Sequence, residues 1–228
     1  MTSFKRARSE EQRAERRRAI LDTAAAMLDE QSVAQISLNE LSRRVCLAKS
    51  NVLRYFESRE AVLLELLDLQ SRSWLDQLAA DLETGIDAAT TARERTDRLA
   101  ALIAASLAAR PVLCDLISNQ AAVLERNVSA SVAADYKRAA IANAGVLVRL
   151  VLSGVPEFGE HDAQRYAATV LLVAGAVWTH AQPSAAMRSA YEQDAELAAL
   201  RIDFVDALRQ FLEVAASGLL ARQNQPHP

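Results

Sequence analysis

Along residues 37–62, SLNELSRRVCLAKSNVLRYFESREAV, the apolar positions change register twice, marking two short helices separated by a tight connection. Leu38, Leu41 and Val45 recur at i, i+3 and i+7, so one side of a two-turn helix is apolar while Asn39, Ser42, Arg43 and Arg44 face outward. Ser37 followed by Glu40 has the form of a capping box and fixes where this helix starts. After a connection at Cys46 to Ala48, Val52, Tyr55 and Phe56 turn inward on a second helix and leave Lys49, Ser50, Asn51 and Arg54 outside. Upstream, the stripe Ile20, Ala24, Met27 and Leu28 predicts a first helix that packs beneath the other two. Residues 1–60 therefore form a three-helix domain built around a helix-turn-helix.

From 61 to 228 the spacing stays helical, with no alternating strand and no glycine motif for phosphate, so the fold class is all-α with a larger second domain. Leu63, Leu66, Leu67, Gln70, Trp74 and Leu78 trace a long linking helix that ends at Gly85. The stripe Leu99, Leu102, Ile103, Ser106 and Leu107 stops before Arg110-Pro111, because proline cannot continue a helix but suits the first turn of the next. A short helix follows through Leu113, Leu116, Ile117 and Gln120. Another begins near residue 122 and carries Leu124, Val128, Val132, Tyr136, Ala139, Asn143, Val146 and Leu150 before Gly154, Pro156 and Gly159 break it.

The two remaining helices predict self-association. The first has the stripe Tyr166, Val170, Val173, Ala174, Val177, Trp178 and Ala181, yet Leu171, Leu172, Gly175 and Ala176 make it apolar on other sides too. A helix apolar nearly all round must be covered twice. The last helix repeats this, with Phe204, Leu208, Phe211, Leu212, Ala215 and Leu219 on one face and Leu200, Val205 and Ala216 beside it. Pairing this hairpin with a two-fold copy makes a four-helix bundle, and two-fold symmetry is the commonest solution for homo-oligomers. The expected interface is Val170, Ala174, Val177, Trp178, Phe204, Leu208, Phe211 and Leu212.

The outward residues of the helix-turn-helix suit double-stranded DNA. An α-helix fits the major groove, its N-terminal residues reach base edges, and basic or hydroxyl side chains hold phosphates. Lys49, Ser50 and Asn51 occupy that position, and a basic arm of Lys5, Arg6, Arg8, Arg13, Arg16, Arg17 and Arg18 precedes them. The expected DNA-binding set is Arg17, Ser37, Arg44, Lys49, Ser50, Asn51, Arg54, Tyr55 and Arg59.

With ILDTAAAML at 20–28, SLNELSRRV at 37–45, AKSNVLRYF at 48–56 and ESREAVL at 57–63, the first 65 or so residues resemble the DNA-binding domain of the tetracycline-repressor (TetR) family. Tyr55-Phe56 followed by Ser58-Arg59-Glu60 is the most diagnostic piece. The resemblance implies a homodimeric regulator whose second domain binds an effector, with a palindromic operator as partner and release by the effector as its mechanism. Three positions depart from the family pattern: Cys46 where glycine is usual in the turn, Ala48 in place of a Ser or Thr cap, and Leu53 in place of a tyrosine. They keep open an alternative, a helical small-molecule-binding or scaffold protein whose DNA-binding head no longer works.

Charge supports the first reading. Residues 1–60 hold 12 Lys or Arg against 9 Asp or Glu, net +3, whereas 61–228 hold 14 against 20, net −6. The overall −3 thus conceals a basic head on an acidic body, and nucleic-acid affinity follows local charge. Gln70, Ser106, Gln120, Tyr136 and Asn143 interrupt otherwise apolar faces of the middle helices, and with Trp74, Cys114 and Asn119 they form the expected effector site. A mostly apolar concavity with a few placed polar groups is the usual composition of a ligand site. Basic residues are sparse there, which favours a small neutral or weakly polar hydrophobic effector over a strongly anionic one.

Other chemistries find no support. Cys46 and Cys114 belong to no CxxC or Cys/His spacing, so neither a disulfide framework nor a metal site is expected. His161, His180 and His227 share no helical spacing, no cofactor motif is present, and the chain is not expected to be an enzyme. The longest apolar stretch, Ala167 to Trp178, falls short of the about 20 residues a bilayer demands, and no signal peptide precedes it, which points to the cytoplasm.

Overall fold

The computed structural model describes residues 2–223, with side chains from 10 to 222. Of the basic arm, the side chains of Lys5, Arg6 and Arg8 lie outside the described residues, as does His227. The described residues form α-helices, short 3-10 turns and no strand. They divide into two compact units, one made by the chain up to Leu69 together with Asn119–Lys137, the other by Gln70–Ser118 together with the chain from Arg138 onward. Residues 61–69 and 119–137 thus group with the head.

In the first unit, α1 (Thr2–Glu30) is followed by α2 (Leu38–Arg44), α3 (Lys49–Val52) and the start of α4 (Arg59–Gly85). Ile20, Ala24, Met27, Val33, Leu41 and Val52 are wholly buried, so the predicted stripes do meet in one core. Ser37 caps α2 by accepting the Glu40 N–H at 3.1 Å, but the capping box is only half made: the Glu40 carboxylate turns to Arg43 and Arg44 instead. Cys46 adopts φ +55° in the turn, the left-handed conformation that glycine takes without strain. Only one turn of the second helix is α-helical. Tyr55 N–H to Val52 O at 2.9 Å and Phe56 N–H to Val52 O at 3.1 Å continue it as tight turns, and Val52 and Phe56 pin it to the core.

The helix expected from residue 122 begins eight residues later. Leu124–Arg126 is a 3-10 turn, and α7 (Ala130–Gly154) starts where Ser129 accepts the Val132 N–H at 3.3 Å. A serine cap outranks the apolar spacing that suggested an earlier start. The Ser129 N–H is itself taken by the Glu57 carboxylate at 2.6 Å.

The second unit holds α5 (Ala92–Ala108), α6 (Pro111–Asn119, but for its last residue), α8 (Gly159–Ala181), α9 (Ala185–Gln193), α10 (Ala195–Ala198) and α11 (Phe204–Gln223), with parts of α4 and α7. A complete capping box, Thr91 with Glu94, starts α5. Pro111 occupies the first position of α6, where its missing N–H costs nothing. α11 packs on α5 and on α8, burying Leu99, Ile103, Tyr166, Val170, Leu208 and Leu212. Gly175 lets α8 approach α6 closely, since a Cβ there would stand 3.2 Å from Ile117 Cγ2. No single described helix is long and apolar enough to cross a membrane.

Candidate functional site

α3 and the turn after it present a polar surface. Lys49, Ser50, Asn51 and Arg54 are all exposed, and none makes a side-chain hydrogen bond or ion pair with another described residue. Leu53 lies among them, 41% exposed, and Tyr55 is half-buried instead of fully inward. Beside them runs a groove of about 750 Å³ lined by Gln12, Arg13, Glu15, Arg16, Arg54 and Tyr55. Three guanidiniums against one carboxylate make it cationic. Arg13 and Arg16 were seen in the sequence only as part of a basic arm; their i, i+3 spacing on α1 is the signal that sets them on one face with Arg54.

Three arginines of the expected set are engaged within the chain. Arg17 donates to the Glu65 carboxylate, with Nε at 2.8 Å, and to the Tyr55 carbonyl at 2.6 Å, while its guanidinium lies 4.1 Å from the centroid of the Phe56 ring. It ties α1 to the end of the recognition segment and to α4. Arg59 donates to the Ile36 carbonyl at 2.8 Å and pairs with Glu60 at 2.9 Å, fixing the loop before α2. Arg44 sits between Glu30 at 2.8 Å and Glu40 at 2.9 Å. Hydrogen bonds from Arg44 hold the Glu30 carboxyl below the usual range, and those from Arg44 and then Arg43 do the same for Glu40. Ser37 is exposed, with its oxygen used as the cap of α2.

The expected effector residues divide between the two units. Gln70, Trp74, Ser106, Cys114 and Asn143 belong to the larger one, Asn119, Gln120 and Tyr136 to the head. Several are satisfied locally. Trp74 Nε1 donates to Ser106 Oγ at 2.9 Å, Ser106 Oγ to the Ile103 carbonyl at 2.9 Å, and Cys114 Sγ to the Leu107 carbonyl at 3.3 Å. Gln120 donates to Glu125 at 2.9 Å. Burial is the main cause, the Asp115 charge the lesser, that pushes the Cys114 thiol up to about 12. Tyr136, 8% exposed, titrates above its ordinary range, through burial first and then the charges of Glu125 and Asp68. Gln70, Asn119 and Asn143 are half-buried.

The expected interface is corrected by burial. Val170, Ala174, Val177, Phe204, Leu208 and Leu212 are covered by the chain itself, between 0% and 8% exposed, and have almost no area left for a second copy. Trp178 is half-buried, edge-on to Phe204 with centroids 5.2 Å apart. Phe211, at 57%, is the one expected residue that is open. The exposed face of α8 carries Ala168, Leu172 and Ala176, and that of α11 carries Phe211, Val214 and Gly218. Leu172 is 75% and Val214 72% exposed, and a Cβ on Gly218 would meet nothing within 4 Å.

Comparison with known proteins agrees with this architecture. Residues 20–66 match the family model described as "Bacterial regulatory proteins, tetR family", and residues 71–223 match "Tetracyclin repressor-like, C-terminal domain". No curated protein matches the chain significantly. Among solved structures, a TetR transcriptional regulator from Rhodococcus sp. RHA1 is similar with TM-score 0.57 at 13% identity, covering 93% of this chain and 98% of that one. A possible TetR family regulator from Streptomyces coelicolor A3(2) is similar with TM-score 0.59 at 20% identity, covering 90% and 99%. The regulator FadR from Bacillus subtilis, solved with stearoyl-CoA, is similar with TM-score 0.54 at 15% identity, covering 88% and 97%.

Proposed function

The chain belongs to the TetR family of bacterial transcriptional regulators, and from that premise we propose that it is a repressor that holds a palindromic operator as a homodimer and is released by a small hydrophobic effector. The observation that carries the reading is the unengaged polar face of Lys49, Ser50, Asn51 and Arg54 beside the cationic groove of Arg13, Arg16 and Arg54. Lys49, Ser50 and Asn51 stand at the start of the recognition helix, where side chains reach base edges. The groove suits the phosphate backbone, which supplies most of the affinity. Work is divided near residue 60, with DNA read before it and effector binding and dimerisation after it. The protein acts in the cytoplasm, on its DNA.

Dimerisation runs through the outer faces of α8 and α11. Leu172, Phe211 and Val214 offer the apolar centre, and Ala168, Ala176 and Gly218 let two backbones come close. A dimer is needed because two half-sites about 34–36 Å apart are read together. For the effector, Gln70 and Asn143, both half-buried in the larger unit, are taken as the polar anchors of an otherwise apolar lining. A neutral or weakly polar hydrophobic molecule fits such a lining. The protein as a whole is tested by electrophoretic shift on the promoter beside its own gene, followed by titration with neutral hydrophobic compounds. A salt-sensitive, symmetric footprint that a compound abolishes supports the reading. An unshifted promoter, or a shift that every compound leaves intact, opposes its DNA or its effector half respectively.

A further inference from the structure

Beside the last turns of α4 lies a cleft of about 570 Å³, lined by none of Gln70, Trp74, Ser106, Cys114 or Asn143. Its apolar wall is Ala79, Leu82 and Ile86, spaced i, i+3 and i+7 along the end of α4 and just past it, with Leu150 of α7 and Pro156 of the turn before α8. At about 1.5 Å per helical residue, Leu82 stands about 12 Å along α4 from Trp74. All the lining residues belong to the larger unit. The size is within the range of small-molecule sites, about 300–1,000 Å³.

The cation of the cleft is Arg95, whose side chain is only 9% exposed. The loop between α4 and α5 fixes it: Thr91 and Glu94 start α5 with their capping box, and Arg95 Nη1 donates back to the carbonyls of Ala88, at 3.3 Å, and Thr90. Nη2 donates to the Glu157 carboxylate. Nε is buried and has no hydrogen-bond partner among the described residues. The N–H groups of Nε and Nη2 form one planar fork, matched to the two oxygens of a single carboxylate. Glu157 uses one tooth of that fork. A buried donor left without an acceptor is costly, and Glu157, 41% exposed on the turn Pro156–Phe158, does not supply one to Nε.

We propose that this cleft binds a monocarboxylic acid with an apolar body, whose carboxylate takes both Nε and Nη2 of Arg95 in place of Glu157. The apolar body lies on Leu82, Ile86 and Leu150, and Glu157 turns out to solvent. One carboxylate replaces another, so the buried guanidinium stays paired, and the gain is the second hydrogen bond together with the apolar surface removed from water. Glu157 is tethered and competes at high effective concentration, so a carboxylate without an apolar body does not displace it. Glu83 and the displaced Glu157 leave the rim acidic, which disfavours phosphates and dicarboxylates. The exchange also unties the turn before α8 from the start of α5, because Arg95–Glu157 is an ion pair between them. The site rests on neither the DNA reading nor the effector reading.

The test is isothermal titration calorimetry on the full chain, with octanoate as the probe and octanamide as its neutral counterpart. Octanoate should bind saturably and octanamide about tenfold more weakly or less still. Glu157→Gln removes the competing charge and should tighten octanoate binding about tenfold, a direction that a purely structural ion pair does not produce. Ala79→Trp fills the cleft while leaving Arg95 and Glu157 in place, and should abolish binding. Arg95→Met should abolish it as well, and if that variant does not fold, Glu157→Gln and Ala79→Trp decide the matter. No saturable heat with octanoate, equal affinity for acid and amide, unchanged or weaker binding in Glu157→Gln, or undiminished binding in Ala79→Trp overturns the proposal.

Discussion

The recognition segment and the α8–α11 pair are both built from helices with mixed faces, yet burial treats them differently. In the head each short helix has one apolar stripe, and Lys49, Ser50, Asn51 and Arg54 are outside as the spacing requires; Ser42, expected outside, is the exception, buried with its hydroxyl donating to the Asn39 carbonyl at 2.8 Å. In α8 and α11 two stripes compete. Val170, Ala174 and Val177 face the protomer's core while Ala168, Leu172 and Ala176 face out, and the same division separates Leu208 and Leu212 from Phe211 and Val214. Periodicity shows that such a helix is covered twice; it carries no information about which cover belongs to the chain itself.

The sharpest way to break that comparison is to put a charge on each stripe. Leu208→Asp buries an unpaired carboxylate at a position 0% exposed and should cost more than about 4 kcal/mol, enough to abolish cooperative thermal unfolding. Phe211→Glu, on the neighbouring face, should keep the helical circular dichroism of the native chain and yield a monomer by light scattering. Equal loss of helicity in both would mean that the two faces share one core. A native-like melt for Leu208→Asp would place that stripe at an interface after all.

In the head the effects are smaller and fall on DNA. Lys49→Ala should lower the slope of log affinity against log salt by about one unit if it meets a phosphate, or cost about 1–3 kcal/mol and relax one operator position if it meets a base. Arg54→Ala should weaken binding too, because it removes one of the three cations lining the groove with Arg13 and Arg16. Neither exposed side chain should shift stability by more than about 0.5 kcal/mol. Fluorescence anisotropy at several salt concentrations, with thermal melts beside it, reads both quantities. Full affinity in both variants would show that another surface reads the operator.

Much of this was legible in the sequence, for identifiable reasons. Ser37 acts on an N–H three residues away and Pro111 through its own ring, and local signals of that kind survive folding: α2 and α6 start, and α4 ends at Gly85, where the spacing puts them. Arg17 and Arg44 were not legible in the same way. Their guanidiniums meet Glu65 and Glu30, partners 48 and 14 positions away, and a cation beside a DNA-reading helix looks the same in sequence whether it faces phosphate or carboxylate. The capped helices over 185–198 went unseen because they carry no core stripe, which was the signal sought.

Arg17 turns this into a measurable contrast with Arg54. Arg17→Ala removes charge-assisted bonds to Glu65 and to the Tyr55 carbonyl, and should lower stability by about 1–2 kcal/mol, with any loss of operator affinity following from the loosened recognition segment. Arg17→Lys should not restore it, since an ammonium cannot reproduce the planar fork. The Arg54→Ala pattern, weakened DNA binding with an unchanged melt, would instead return Arg17 to the DNA surface.

The two cysteines make the finest test, one in each region. Cys46 is exposed in the turn of the head and Cys114 is buried in the body. With its thiol pushed up to about 12 by burial, Cys114 stays protonated in the native state where an unfolded thiol, near about 8.5, ionises. The folded value is the higher, so this group's contribution to stability is whole below the unfolded value and drains away as pH rises from there toward the folded one. At pH about 8 a thiol reagent should therefore modify Cys46 at once and Cys114 only on unfolding. Cys46→Gly should then leave no fast-reacting thiol and should also stabilise the head, because φ +55° costs a side-chain-bearing residue about 1–2 kcal/mol that glycine does not incur. The greater freedom of glycine in the unfolded chain offsets about 0.4–1 kcal/mol of that, so a gain of about 1 kcal/mol or less is expected in the melt. A variant that melts earlier would mean that the Cys46 side chain holds the turn together, and a variant that still consumes reagent without unfolding would mean that Cys114 is open to solvent.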